Sequence, residues 1–256
     1  MRARQESCCF TGHRPTKLPW GYREEDPRCL QLKRRIMDAL EAAYTPDVCA
    51  VMVEPIMGEG GVYPLEDAYL QSLRSFCDER DLLLICDEVQ CGIGRTGKMF
   101  AYQSADILPD VLTLAKGLGG GLPIGAFLCG EKCADTLGKG MHGSTFGGNP
   151  VAAAGALVVL DKLTPDFLNE VIRKGEAIRE AVLSAEPKAV TGVRGKGLML
   201  GFQVAGTPAD YLKAAAEAGL LILTAGSDTV RLLPPLNISD EELAEGVEVL
   251  KQVLDQ

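Results

Sequence analysis

Leu82-Leu83-Leu84-Ile85-Cys86-Asp87-Glu88-Val89-Gln90 and, further on, Val111-Leu112-Thr113-Leu114-Ala115-Lys116-Gly117-Leu118-Gly119-Gly120-Gly121 decide how this chain is read. Leu82 to Cys86 is apolar at every position. A run without alternation is what a parallel strand covered on both faces requires. Val48–Val53, Val111–Ala115 and Gly125–Cys129 are similar short runs, and Glu66–Arg80 carries its apolar residues at helical spacing. The alternation predicts an α/β layer with a parallel or mixed sheet. Glu54, Asp87 and Lys116 each follow one of these strands. Ligands of open α/β sheets bind outside the carboxyl ends of the strands, so two carboxylates and one amine are expected on a common rim.

Outward from that core, an Ala-rich helix is expected from Asn149-Pro150 to Leu163, and Thr164-Pro165 offers a cap and a first-turn proline for the next helix. A smaller α+β unit is expected over 164–256. Its strands are read at Ala189–Val193, Leu198–Val204, Leu220–Leu223 and Val230–Leu233, its helices at Ala209–Ala218 and Ser239–Leu254. Ser239 and Glu242 form a capping-box signature. Residues 1–47 read differently, with a short apolar strand Ser7–Phe10, a turn through Thr11–Pro15 and a basic helix Arg28–Tyr44. Thr45-Pro46 marks a boundary, because proline disfavours helix in the residue before it.

Composition narrows the partners. With 26 Lys+Arg against 35 Asp+Glu the net charge is −9, which argues against nucleic acid or an anionic membrane surface and for a small-molecule ligand. No run approaches the roughly 20 apolar residues of a membrane-spanning helix. Nine cysteines without framework spacing read as thiols in a reducing cytosol, so a cytoplasmic protein is expected. Cys129-x3-Cys133 has no second Cys or His pair beside it, and with His13 and His142 the only histidines, no metal site is expected.

A lysine at a strand edge can serve as a Schiff-base nucleophile if burial or a cationic setting lowers its pKa. Lysines at strand ends are more often plain surface residues. The glycine loop 117–121 shifts the weight, since glycines permit close backbone approach to a ligand. Beside such a cofactor, Asp87 can keep a pyridine nitrogen protonated and Gln90, three residues on, can address a ring hydroxyl. An N-cap or loop salt bridge is the plainer role for Asp87.

Val53-Glu54-Pro55-Ile56-Met57-Gly58-Glu59-Gly60-Gly61, Cys86-Asp87-Glu88-Val89-Gln90-Cys91-Gly92-Ile93-Gly94-Arg95-Thr96-Gly97, Leu114-Ala115-Lys116-Gly117-Leu118-Gly119-Gly120-Gly121 and His142-Gly143-Ser144-Thr145-Phe146-Gly147-Gly148-Asn149-Pro150 resemble, in order and spacing, the class III aminotransferases. Val193–Gly201 and Thr229–Leu236 resemble the acetylornithine branch. The resemblance covers about 48–256. It implies a fold-type I large domain over 48–163 followed by a small C-terminal domain, and pyridoxal 5'-phosphate as cofactor. It also implies amino transfer between N-acetylornithine, or a related acylated or basic amino acid, and 2-oxoglutarate, as in arginine biosynthesis. Ornithine or succinyldiaminopimelate transamination is a further class III activity.

By the same resemblance Lys116 holds the cofactor as a Schiff base and moves the substrate proton. Asp87 pairs with the pyridine nitrogen, Gln90 contacts the ring oxygen and Val89 lies with them. Thr145, helped by Ser144, reaches the cofactor phosphate of a neighbouring subunit, which implies a homodimer with shared sites. Glu59 and Arg231 match a pair in which the glutamate holds the arginine until a dicarboxylate claims it, with Glu54 in support. An ordinary surface ion pair is the plainer reading of those two.

The family's amino-terminal part, with its phosphate cradle, ring-stacking aromatic and carboxylate-gripping arginine, is expected to be missing. Ser7–Pro15 with Leu18-Pro19-Trp20-Gly21 resembles instead the opening of a SLOG-superfamily protein of the YpsA group. A catalytically silent fragment that acts only as a folded or partner-binding module is therefore the alternative reading.

Overall fold

The computed structural model describes residues 36–255. The expected strand Ser7–Phe10, the Thr11–Pro15 turn and the start of the Arg28–Tyr44 helix lie outside them. In chain order the elements are helix α1 over residues 36–43, β1 (Ala50–Val53), β2 (Ile56–Met57), β3 (Tyr63–Pro64), α2 (Asp67–Glu79), β4 (Leu83–Asp87), β5 (Val111–Leu114) and β6 (Ala126–Cys129). Then follow α3 (Pro150–Lys162), α4 (Pro165–Ser184), β7 (Val190–Lys196), β8 (Met199–Val204), α5 (Pro208–Glu217), β9 (Leu223–Ala225), β10 (Thr229–Leu232) and α6 (Asp240–Leu254). None of the described helices is long and apolar enough to cross a membrane.

The first sheet runs β1-β4-β5-β6, with β1, β4 and β5 parallel and β6 antiparallel to β5. It is a mixed sheet, as the apolar runs led us to expect. Its cover is different. Leu84, Cys86, Leu112 and Leu114 are buried on one face, where Leu70, Leu73 and Phe76 of α2 and Ala156 of α3 pack. Met52 and Phe127 on the other face are 44% and 53% exposed. A strand covered on one face can still be apolar throughout, so continuity of the run did not report how many faces are covered. β6, expected among the covered strands, is exposed along its whole length.

The second sheet, β7-β8-β10-β9, is antiparallel throughout. Alternation along β8 explains its place. Leu200, Phe202 and Val204 enter a core with Ile178 and Val182 of α4 and Leu250 of α6, whereas Met199 turns to Ile56, Val62 and Cys91 of the first half. On that side Gly201 leaves room for Val62, whose Cβ lies 2.8 Å from where a side chain would begin. β8 is thus a wall shared by the two halves. The predicted strand at Leu220–Leu223 begins instead at Leu223, since pairing with β10 is registered Leu223↔Arg231.

Helix starts follow the predicted caps. Asn149 accepts from the Val151 and Ala152 amides, Thr164 from Phe167, and Ser239 and Glu242 close a reciprocal box. Arg95 fastens the halves together. Its guanidinium donates to the carbonyls of Leu198 (3.1 Å) and Pro234, and its own carbonyl accepts from the Leu198 amide. Burial without a carboxylate partner pulls its pKa down to about 10.

Candidate active site at the strand ends

The parallel register sets the rim. Val53 pairs with Cys86 and Asp87 with Thr113, so Glu54, Asp87 and the Ala115-Lys116 step leave the sheet at one edge. Glu54 accepts the Gly58 amide at 3.0 Å, closing the turn that carries Glu59. Asp87 is half-buried at the end of β4. The Val89 amide and the Thr113 hydroxyl both donate to its Oδ1 at 3.0 Å, which fixes the carboxylate and leaves both bonds on one oxygen. Thr113 was not foreseen as a site residue. Only strand pairing brings it beside Asp87.

Lys116 opens a 3-10 turn, Lys116–Gly119, against which α3 packs. Its side chain is exposed, not buried as a desolvated nucleophile was expected to be. The face of the sheet that would enclose it carries no covering element among the described residues. Its backbone has φ 43°, in the left-handed region. A non-glycine residue there costs about 1–3 kcal/mol and is held only by the surrounding structure.

Across the rim stands a closed triangle. Arg231 Nη1 donates to Glu59 Oε1 at 2.7 Å and to Gln90 Oε1 at 3.0 Å, while Gln90 Nε2 donates to Glu59 Oε1 at 3.0 Å. The pair is not an ordinary surface one. The Arg231 side chain is 7% exposed against 74% for Glu59, and the buried Arg231 Nε has no hydrogen-bond partner. Gly58 makes the space, since a Cβ there would sit 2.1 Å from Gln90 Oε1. The hydrogen bond from Arg231, then that from Gln90, holds the Glu59 carboxyl below the usual carboxylate range, and the charge of Lys116 adds a smaller share.

A depressed carboxylate pKa contributes stability that is present above the unfolded value, here 4.5, and is lost as pH falls through the folded value. The triangle is therefore expected to persist at neutral pH and to open only below that range. A carboxyl-carbon NMR titration of Glu59 checks this. A midpoint at or above 4.5 in the folded protein would refute it.

Glu88 was also missed by the sequence reading, being one acid in a polar run. It is fully buried and accepts the Ala101 and Tyr102 amides at 2.7 Å each. Desolvation raises its pKa, against the lowering by those two amides. Ser144 and Thr145 are exposed, and no hydrogen bond among the described residues joins them to the rim. The Ser144 hydroxyl accepts the Gly147 amide at 2.9 Å. A cavity of about 220 Å³ lies on the α6 side of β10, lined chiefly by residues such as Leu220, Leu232, Val247 and Leu250. Its lining is too apolar for a charged substrate.

The family model described as aminotransferase class-III matches residues 13–254. An acetylornithine aminotransferase of Haemophilus ducreyi is 53% identical over 212 residues, which cover 82% of this chain and 53% of the relative. One from Xylella fastidiosa is 48% identical over 252 residues, 95% of this chain and 59% of the relative. Among solved structures, N-acetylornithine aminotransferase from Stenotrophomonas maltophilia superposes with TM-score 0.77 at 44% identity, covering 86% of this chain and 59% of that one. The ornithine aminotransferase of Toxoplasma gondii gives TM-score 0.80 at 32% identity, covering 87% and 54%. The chain thus spans between half and three-fifths of the length of these relatives, and its architecture is that of part of the fold-type I large domain followed by the small domain.

Proposed function

Since the chain belongs to the class-III aminotransferase family, we propose that it carries the lysine-bearing part of a pyridoxal 5'-phosphate site for amino transfer between N-acetylornithine, or a related acylated or basic amino acid, and 2-oxoglutarate, as in arginine biosynthesis. The observation that carries this is the convergence of Asp87, Lys116 and the Glu59–Gln90–Arg231 triangle on one rim. The residues fit such a cofactor. Asp87 offers a fixed carboxylate for a ring N–H, and the Lys116 amine stands free to condense with an aldehyde. When bound, pyridoxal phosphate supplies that aldehyde and an electron-withdrawing ring.

The protein residues then divide the work. Asp87 keeps the proton on the ring nitrogen, with Val89 beside it and Gln90 addressing the ring oxygen. Lys116 Nζ takes a proton from the substrate carbon and returns it. Arg231 grips the side-chain carboxylate of 2-oxoglutarate when Glu59 swings aside, and is covered by Glu59 when the donor occupies the site. Glu54 holds the turn that carries Glu59. Thr145, with Ser144, serves the phosphate of a second subunit, so the working form is a cytoplasmic homodimer. The division at 47/48 and 163/164 belongs to the same reading.

A second reading is that the chain acts only as a partner-binding module. The exposed apolar surface of β6 and α3 favours it, with Phe127 and Leu128 about half exposed and Val151, Leu157 and Val158 at 60% or more. One experiment separates the two. Pyridoxal phosphate is added to the purified protein, the absorbance is scanned, and borohydride reduction is followed by peptide mapping. A yellow band with label on Lys116 is expected. Label scattered over surface lysines, with a second polypeptide co-purifying, would leave only the module.

A further inference from the structure

We infer that Cys129 and Cys133 form a thiol–disulfide exchange site, in which a low-molecular-weight disulfide such as oxidised glutathione is captured at Cys129 and resolved by Cys133. The inference does not depend on the cofactor chemistry. Cys129 ends β6 and is exposed, while Cys133 closes the following 3-10 turn, Glu131–Cys133, and is 6% exposed. The turn is tight. The Cys133 amide donates to Gly130 O at 3.2 Å, and its thiol to Asp110 O at 3.4 Å and Gly130 O at 3.7 Å. The Gly130 amide donates to the same Asp110 carbonyl at 2.8 Å.

Asp110 is itself pinned, its carboxylate accepting from the Leu84 amide at 2.7 Å and from Arg74 at 2.8 Å. One carbonyl on a fixed strand end therefore gathers both the amide after Cys129 and the thiol of Cys133. The two cysteine side chains interact directly, so sulfur meets sulfur without rearrangement of the strand. The other described cysteines differ. Cys77, Cys86 and Cys91 are buried, with thiols that burial pushes up, to about 11 for Cys77 and about 12 for Cys86. Cys49 is exposed but has no second thiol recorded against it.

In the first step the Cys129 thiolate attacks one sulfur of the external disulfide. That S–S bond breaks and one thiol departs, leaving a mixed disulfide on Cys129. In the second, Cys133 gives its proton to solvent and attacks the Cys129 sulfur, expelling the second thiol. Two electrons pass from the protein dithiol to the external disulfide, and two protons end on the released thiols. The product cross-links the outer end of β6 to its turn and removes the Cys133 donor from the Asp110 carbonyl. A reducing thiol pool reverses both steps.

The test is incubation of the whole chain with oxidised glutathione, alkylation of remaining thiols with N-ethylmaleimide, and peptide mapping. The parent should yield a peptide linked 129 to 133 that has lost two hydrogens and carries no glutathione. Cys133→Ala should accumulate at least about tenfold more glutathione on Cys129, because a neighbouring thiol resolves the mixed disulfide faster than an external one. Cys129→Ala should leave Cys133 fully alkylated. Glutathione retained on Cys129 of the parent with Cys133 alkylated would overturn the inference. So would reaction at Cys49 while 129 and 133 both remain alkylated.

Discussion

Lys116→Ala abolishes the borohydride-stable pyridoxyl adduct and, where amino transfer is measurable, lowers it by at least about 100-fold, the smaller end of what a positioned proton-transfer group contributes. The reasoning is local. A lysine side chain stands free at the end of β5, on a backbone in the left-handed region where glycine is at ease and lysine is not. If the residue served only the fold, glycine would serve better. Lys116→Gly is therefore expected to lose the adduct while unfolding at no lower denaturant concentration than the parent, because it removes both the amine and the strain. Peptide mapping and a urea titration read the two effects separately. An adduct persisting at the same yield in either variant would mean that another amine is the true partner. A marked drop in stability with glycine would mean that the lysine stem packs in a way its exposure does not reveal.

Glu88→Ala should cost about 2–6 kcal/mol of stability, the sum of two buried amides each left unpaired at about 1–3 kcal/mol. The Ala101 and Tyr102 amides have no other acceptor recorded, and Glu88 is one residue from Asp87, so its loss should also loosen the carboxylate end of β4. Its pKa is raised, and the sign follows. An acid that binds its proton more tightly when folded makes the protein less stable as pH rises from the unfolded value towards the folded one. The parent should lose stability over that interval, and Glu88→Ala should flatten this part of the profile. Urea midpoints at several pH values measure both effects. A change below about 1 kcal/mol, the size of an ordinary surface substitution or a little more, would show that water takes over the two amides.

Much of the local structure was legible because the forces behind it are local. The caps at Asn149, Thr164 and Ser239 sit within three residues of the amides they satisfy, and the helical spacing in α2 is a property of one segment. The alignment of Glu54, Asp87 and Lys116 was legible for a different reason: parallel strands of one sheet must end together. Thr113 and Glu88 escaped notice because their partners come from strand register and from a loop folded back over the strand end. Neither leaves a periodic trace.

By itself the sequence determined the alternation of strand and helix, the positions of the helix caps and the order in which the acidic, amide and amine groups occur. Tertiary structure alone decided that Glu59 meets Arg231 across 172 positions, that β6 runs antiparallel as an exposed edge, and that Lys116 stands free on a strained turn. The division has a physical cause. Hydrogen bonds and apolar spacing within a segment are specified by neighbours a few residues apart, whereas burial and charge pairing depend on which surfaces the closed chain brings together.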